Sequence, residues 1–325
     1  MTAERTTAQD PEQSPLKRLV GAPWFSDLAI LVAFIGLMLV GGLLSDVFLT
    51  PRNLTSIAVA ASILIVVAVG QTIVIITSGI DLSVGSLMML SGVMIGVAVK
   101  NDLGVPVGIA MGIGLTALLG VVNGLVVTKG KISDFIATLG MMSIALGIGH
   151  VISDARPVPI IDGGMVALAT GSVGPIRTIV LVSVIVAILA HIMLFNTRFG
   201  TYLLAIGGNY EGSRDLGIHV DSVKIRAYLI SGTLAGLGGV MLTSRIGSAE
   251  PTAGAAYLLN GIAATVLGGV SLFGGRGTIL GPVIGALILT SLLNLMTILG
   301  IGVLFQPIVV GIVVISFAIA YRFRQ

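Results

Sequence analysis

The chain has very little charge for its size, and this scarcity excludes most soluble protein classes. Charged residues make up 10% of its 325 residues, whereas about 25% is typical of soluble domains. Hydrophobic residues make up 55% of the chain, which is more than a soluble protein of this length could hide from water. The composition therefore predicts a polytopic membrane protein.

Reactive side chains are also scarce. The chain has no cysteine, so it has neither a disulfide framework nor a thiol site. Its three histidines, His150, His191 and His219, lie far apart and form no HExxH motif, which argues against a zinc site. The net charge of +3 does not indicate nucleic acid, because loop lysines and arginines in membrane proteins mainly set orientation. We expect no enzyme activity, cofactor or metal in this chain.

Apolar runs long enough to cross a bilayer recur along the chain. A spanning helix needs about 20 mostly apolar residues. The sequence predicts an all-α protein with about ten transmembrane helices, of which the third and eighth are expected to be tilted or broken. The expected spans are 27–45, 54–77, 84–99, 105–127, 134–153, 177–196, 225–246, 256–272, 278–298 and 303–321.

The distribution of lysine and arginine orients these spans. Cytoplasmic loops carry an excess of both residues, and most of the 17 lie in segments on the same side as the N-terminus. Both termini are therefore expected in the cytoplasm. Residues 1–19 are polar and contain Pro11 and Pro15, so the sequence predicts a disordered cytoplasmic tail over residues 1–24 and a transmembrane domain over residues 25–325.

Glycine is abundant, with 45 residues, and several pairs have the GxxxG spacing that lets membrane helices approach closely. These pairs predict either packing within the chain or contact with a second subunit. A weak similarity between the second to fifth and seventh to tenth spans indicates an inverted five-helix repeat, and chance similarity between apolar runs is the alternative. The pairs are Gly108/Gly112, Gly120/Gly124, Gly232/Gly236 and Gly281/Gly285.

One polar stretch, 196–227, interrupts the apolar sequence between the sixth and seventh spans. Asn209 is a good N-cap and Gly217 a natural stop, which predicts a short helix over 209–216 within a cytoplasmic loop, 197–224. A helix of two turns is not stable alone in water. We therefore expect it to bind a cytoplasmic partner, and an ordinary ordered loop is the alternative.

A few polar side chains lie within or between the spans. Asp81 follows the second span, and a carboxylate deep in lipid costs about 2.5–3.5 kcal/mol on insertion scales. It is expected either to cap the third helix or to act in gating. Amides within the spans either join helices or contact a solute. The candidates for a gate or pore are Asp81, Ser83, Asn123, Asn260 and Asn294, and the candidates for a docking surface on the outer side are Glu250, Pro251 and Thr252.

The glycine-rich stretch 266–281, VLGGVSLFGGRGTILG, invites comparison with a phosphate-binding loop. Such a loop needs GxxxxGK[ST], whereas Gly275 and Arg276 follow Gly274 here. The stretch is therefore expected to be a tight turn between helices, and the chain has no visible ATP site. Ionisable residues are few in the spans, which argues against the proton relay of a secondary carrier.

Several stretches in chain order resemble the ribose-type permease of bacterial ABC sugar importers. They cover most of residues 50–290. The matching stretches are TSGIDLSVGSL (77–87), KGKISDFIATLGMM (129–142), NTRFGTYLLAIGGN (196–209), SRDLGI (213–218), SAEPTAGAAY (248–257), IAATVLGGVSLFGGRGTILG (262–281) and IGALIL (284–289).

The resemblance implies the ABC importer permease fold, a homodimer of ten-helix subunits with a pore between them, in a bacterial inner membrane. It also implies a cytoplasmic ATPase, which holds ATP and Mg²⁺, and a periplasmic sugar-binding protein as partners. The polar stretch matches the coupling segment that fits a groove of the ATPase. The residues matched in that segment are Gly208, Asn209, Glu211, Arg214, Gly217 and Ile218.

Three segments of the chain depart from the family pattern. Leu258-Leu259-Asn260 stands where Glu-Leu-Asp is common, Glu250 where glutamine is usual, and Tyr210-Glu211-Gly212 where Glu-Ala-Ala is typical. Because of these departures, ribose itself is not the predicted solute. The expected solute is the broader class of a monosaccharide or related polyol. A permease for a nucleoside, a furanosyl signal or an amino acid, or a self-sufficient carrier, is the alternative.

Overall fold

The computed structural model describes residues 23–322, which are mostly helical. Residues 1–22 of the expected tail lie outside this range, and the first helix begins at Pro23. A 3-10 turn, Val303–Phe305, precedes the last helix. The helices are α1 (Pro23–Leu44), α2 (Pro51–Ile76), α3 (Val84–Lys100), α4 (Val105–Thr128), α5 (Asp134–Ser153), α6 (Gly163–Thr170), α7 (Thr178–Asn196), α8 (Arg198–Gly208), α9 (Tyr210–Asp215), α10 (Val220–Ile246), α11 (Ala255–Leu267), α12 (Leu280–Ile298) and α13 (Gln306–Arg322).

All ten predicted apolar segments form helices. Six of these helices, α2, α4, α5, α7, α10 and α12, are long and apolar enough to cross a membrane. The other four have shorter apolar parts, and α3 and α11, predicted to be tilted or broken, have only 17 and 13 residues. The chain is therefore a polytopic helical membrane protein.

Helix α2 lies at the centre of the fold. It is apolar on all sides, and 89% of the residues in its most apolar stretch of 18 residues are buried. A helix without a polar face is stable only where other helices surround it. Here α7, α10, α11 and α12 all pack against α2, and α10 also packs along α4 and α3.

The four GxxxG pairs lie at contacts between helices of the same chain. A methyl group on Gly120 of α4 would meet the backbone of α10, and one on Gly232 of α10 would meet the backbone of α4. The first pair along the chain faces α3, and the last pair faces α11. Packing within the chain, one of the two roles left open by the sequence, is thus confirmed for these glycines.

Short strands tie together the connections opposite the polar stretch. Strand β1 (Val158–Pro159) pairs antiparallel with β4 (Ser248–Ala249), and β2 (Ser172–Val173) pairs with β3 (Ile176–Arg177). The first pairing joins the segment after α5 to the segment after α10. It therefore fixes the end of α10 that lies farthest from α9.

Candidate functional site

The polar stretch between α7 and α10 contains the predicted short helix, α9. Asn209 is its N-cap, and its Oδ1 accepts a hydrogen bond of 2.8 Å from the amide three residues later. At the other end, Gly217 has a φ of +82° and donates to the Arg214 carbonyl, while Ile218 donates to the Ser213 carbonyl. This pair of bonds is the Schellman motif. The predicted cap and stop are both confirmed.

Helix α8 precedes α9 and is not predicted from the sequence. Two adjacent glycines, Gly207 and Gly208, indicate a break in the chain, but both lie in the last turn of α8. Gly207 is needed there because a methyl group would collide with the Ile76 carbonyl and the Gly275 amide. The apolar spacing of Leu203 and Ile206, both buried, is the signal that could have identified this helix.

Helix α9 and its flanks present side chains to the surface. Tyr210 is 45% exposed and Leu216 is 85% exposed, and Glu211 and Arg214 are also exposed. A large apolar side chain on a six-residue helix is poorly placed in water, which favours a protein contact. Beside it, a cleft of about 1040 Å³ separates this surface from the turn between α4 and α5.

Three of the predicted gate residues, Asp81, Ser83 and Asn123, lie together inside the subunit, and all are buried. Asp81 Oδ1 accepts from the Ser83 amide at 3.0 Å and from the Ser83 hydroxyl at 2.6 Å. Its Oδ2 accepts from the Ser231 hydroxyl of α10 at 2.8 Å. Asn123 of α4 donates to Ser83 Oγ at 3.0 Å. Hydroxyl and amide donors thus satisfy a carboxylate that burial alone would strongly disfavour.

The expectation that Asp81 caps the third helix is wrong. Helix α3 begins at Val84, its N-cap residue is Ser83, and no side chain caps it. The Asp81 carboxylate accepts from Ser83, directly before α3, and from Ser231 of α10, and not from the amides within α3. Gln71 of α2 donates to the Asp81 carbonyl at 2.7 Å. Gln71 therefore joins elements of the fold, which is one of the two roles the sequence left open for amides.

A second polar cluster, missed by the sequence analysis, lies closer to α9 along α10. Lys224 Nζ is 3.1 Å from Asp134 Oδ1, and the two side chains are only 10% and 23% exposed. Tyr228 Oη donates to the same carboxylate oxygen. Lys224 is the last residue of the predicted cytoplasmic loop 197–224, whereas in the structure it lies in the second turn of α10. The spacing of Lys224, Tyr228 and Ser231, which share one face of a helix, is the signal that could have revealed this cluster.

The two remaining gate candidates lie outside these clusters. Asn294 of α12 and Asn53 of α2 exchange side-chain amide hydrogen bonds of 2.9 Å in both directions. Asn53 also donates to the Phe48 carbonyl at 2.8 Å. Asn294 thus joins two helices, and Asn260 is half-buried on α11.

The predicted docking residues directly follow β4 and differ in their exposure. Glu250 is half-buried, Pro251 is buried and Thr252 is exposed. Two residues later, Gly254 lies so close to the Gly85 carbonyl, at the start of α3, that a methyl group would not fit between them. Of the three candidates, Thr252 is therefore the one that offers an open surface.

The glycine-rich stretch forms the connection between α11 and α12, as predicted. Gly274 and Gly275 have φ values of +83° and +71°, which only glycine adopts readily. The Gly275 amide donates to the Ile76 carbonyl at 2.9 Å, and the Ser78 hydroxyl donates to the Phe273 carbonyl at 2.7 Å. This loop therefore binds the end of α2, beside Gly207 of α8.

Comparison with known proteins agrees with the sequence resemblance. The family described as the permease component of branched-chain amino acid transport systems matches residues 53–321. The ribose import permease RbsC of Escherichia coli is 40% identical over 306 residues, which cover 92% of this chain and 94% of the relative. RbsC of Bacillus subtilis is 38% identical over 281 residues, 86% of this chain and 87% of the relative.

The D-allose transport system permease AlsC of Escherichia coli is 36% identical over 296 residues, 90% of this chain and 88% of the relative. No solved structure matches the chain. The family match covers the whole helical array from α2 to α13, including both polar clusters and the segment around α9. The chain therefore belongs to this family of ABC importer permeases.

Proposed function

We propose that this chain is the transmembrane permease subunit of an ATP-driven importer for a monosaccharide or a related polyol. The observation that carries the proposal is the 40% identity to a ribose permease over 92% of the chain. The family description refers to branched-chain amino acids. The relatives at 36–40% identity are named for ribose and allose, which favours a sugar.

The ATPase that drives import is a separate partner, and we place its contact on α9. This helix has caps at both ends, so it keeps its shape while it presents exposed side chains. The exposed Leu216 and Arg214 offer the partner an apolar contact and a cation close together. Binding of ATP by the partner would draw α9 toward its counterpart in a second permease copy, and the two halves of the pore would rock between outward- and inward-facing states.

The second copy and the arrangement in the membrane complete the proposal. In both α5 and α7, only 22% of the residues in the most apolar stretch of 18 residues are buried. These helices therefore need lipid or another subunit to cover them. We propose a homodimer with a pore between two copies, each with ten spans in two inverted halves. Both termini, including the polar tail 1–24, and the coupling loop 197–224 would face the cytoplasm, and the periplasmic binding protein would dock near Thr252.

Transport by the reconstituted complex tests this function. The chain, its cognate ATPase and its binding protein are placed in proteoliposomes, and uptake of radiolabelled D-ribose and D-allose is measured with ATP and Mg²⁺. Uptake that requires all three proteins is the expected result. Omitting the ATPase is the decisive control, because flux through the permease alone would identify a self-sufficient carrier and refute the importer. Uptake of leucine in place of both sugars would identify an amino-acid permease.

A further inference from the structure

We propose that Asp134, Lys224 and Tyr228 are positioning residues that transmit the movement of α9 to the turn between α2 and α3, which holds Asp81. This inference rests on the proposed function, because it assumes that a partner ATPase moves α9. It assigns a role in transport to an ion pair that joins α10 to the start of α5.

Three polar side chains on α10 form a row on one side of the helix. Lys224, Tyr228 and Ser231 follow one another at intervals of four and three residues, so they lie on one face of the helix. All three are buried, Lys224 at 8% exposed, Tyr228 at 0% and Ser231 at 1%. Polar groups are costly inside a helical bundle unless each has a partner. This row therefore fixes the position and rotation of α10.

The partners of this row lie on two other elements. Asp134, in the first turn of α5, binds Lys224 and Tyr228. Tyr228 Oη is also 3.3 Å from the Ile80 carbonyl oxygen in the turn between α2 and α3. Ser231 then donates to Asp81 in the same turn, at 2.8 Å. One face of α10 thus binds the start of α5 and the turn that contains Asp81.

The place of this row in the chain gives it a mechanical role. Helix α10 begins at Val220, five residues after α9 ends at Asp215, so a displacement of α9 acts directly on the first turn of α10. Lys224 lies in the next turn. The turn between α2 and α3 also contacts the glycine-rich loop, because Ser78 donates to the Phe273 carbonyl. This turn is therefore bound both to the loop and to α10.

The ion pair between Lys224 and Asp134 is suited to this task because its two side chains are largely buried. Exposed ion pairs contribute little and are easily separated, whereas removal of one partner from a buried pair leaves an unpaired charge. Within residues 23–322 the other ion pair, Lys129 with Asp221, has side chains 65% and 40% exposed. The less exposed of these two pairs is thus the one that contacts Tyr228 and joins α10 to the start of α5.

The test compares stability with coupling in the reconstituted full complex. The variants are Tyr228→Phe, which keeps the ring and removes the hydroxyl, and the double variant Asp134→Asn with Lys224→Gln, which leaves no unpaired charge. Three quantities are measured, namely thermal stability of the purified permease, ATP hydrolysis, and D-ribose and D-allose uptake per ATP hydrolysed. We expect stability and ATP hydrolysis close to wild type, with uptake per ATP lowered about tenfold.

The controls separate transmission from mere stabilisation. Asp162→Asn removes a carboxylate that only caps α6, so uptake per ATP should stay within about twofold of wild type. A double variant and a Tyr228→Phe variant that both retain wild-type uptake per ATP would overturn the inference. If the double variant unfolds, Tyr228→Phe decides the question alone. The wild-type complex gives a separate answer, because absence of ATP-dependent uptake there refutes the proposed function itself.

Discussion

Replacing Gly217 with valine tests whether the closed end of α9 is needed for coupling. Gly217 has a φ of +82°, and a methyl group built on it would have nothing within 4 Å. The added Cβ therefore meets no steric obstacle within the chain, and the cost of the substitution to the helix end comes from the backbone. A residue other than glycine in the left-handed region costs roughly 1–2 kcal/mol, and β-branched residues lie at the upper end. Because 1–2 kcal/mol changes an equilibrium about 5- to 30-fold, valine should greatly reduce the population of the closed helix end.

The assay is stimulation of ATP hydrolysis by the sugar-loaded binding protein. Asparagine tolerates the left-handed region, so Gly217→Asn should retain the most stimulation, Gly217→Ala less and Gly217→Val the least. The amount of permease in the membrane should be the same for all three variants.

Gly300→Val is the matched control. Gly300 has a φ of +75°, equally open space, and the same pattern of hydrogen bonds at the end of α12, where Ile301 donates to the Met296 carbonyl. The Gly300→Val variant therefore has the same backbone strain as Gly217→Val, but at a helix end outside the loop 197–224. Normal stimulation in Gly217→Val would refute the role of α9. An equal loss in Gly300→Val would show that strain at any helix end is sufficient.

Further predictions concern stability, measured by thermal unfolding of the purified permease. Gly207→Ala should destabilise the protein by about 1–3 kcal/mol, because the methyl group would collide with the Ile76 carbonyl; a wild-type midpoint would contradict the close packing of α8. Asn53→Ala should cost about 1–3 kcal/mol, since it leaves the Asn294 amide without its partner, and an unchanged midpoint would show that the pair is dispensable. Lys129→Ala should change stability by less than about 1 kcal/mol, because its ion pair is exposed, and a larger loss would contradict this.

Local signals predicted α9 correctly but did not predict its neighbour α8. An N-cap such as Asn209 and a stop such as Gly217 act on amides and carbonyls within a few residues, so their effect can be judged from the sequence. Gly207 indicated a break by the same local rule. The structure keeps it helical because tight contact with α2 and the glycine-rich loop requires a residue without a side chain.

The sequence by itself determined the ten apolar helical segments, the short helix α9 and the resemblance to a permease family, because hydropathy and capping are properties of neighbouring residues. Only the tertiary structure decided which buried polar groups meet. Asp81 binds Ser231, 150 residues away, and Lys224 binds Asp134, 90 residues away. Such pairs depend on how each helix is rotated and how deeply it is placed against its neighbours. That rotation is set by the packing of glycines and apolar faces over the whole bundle, which no local pattern specifies.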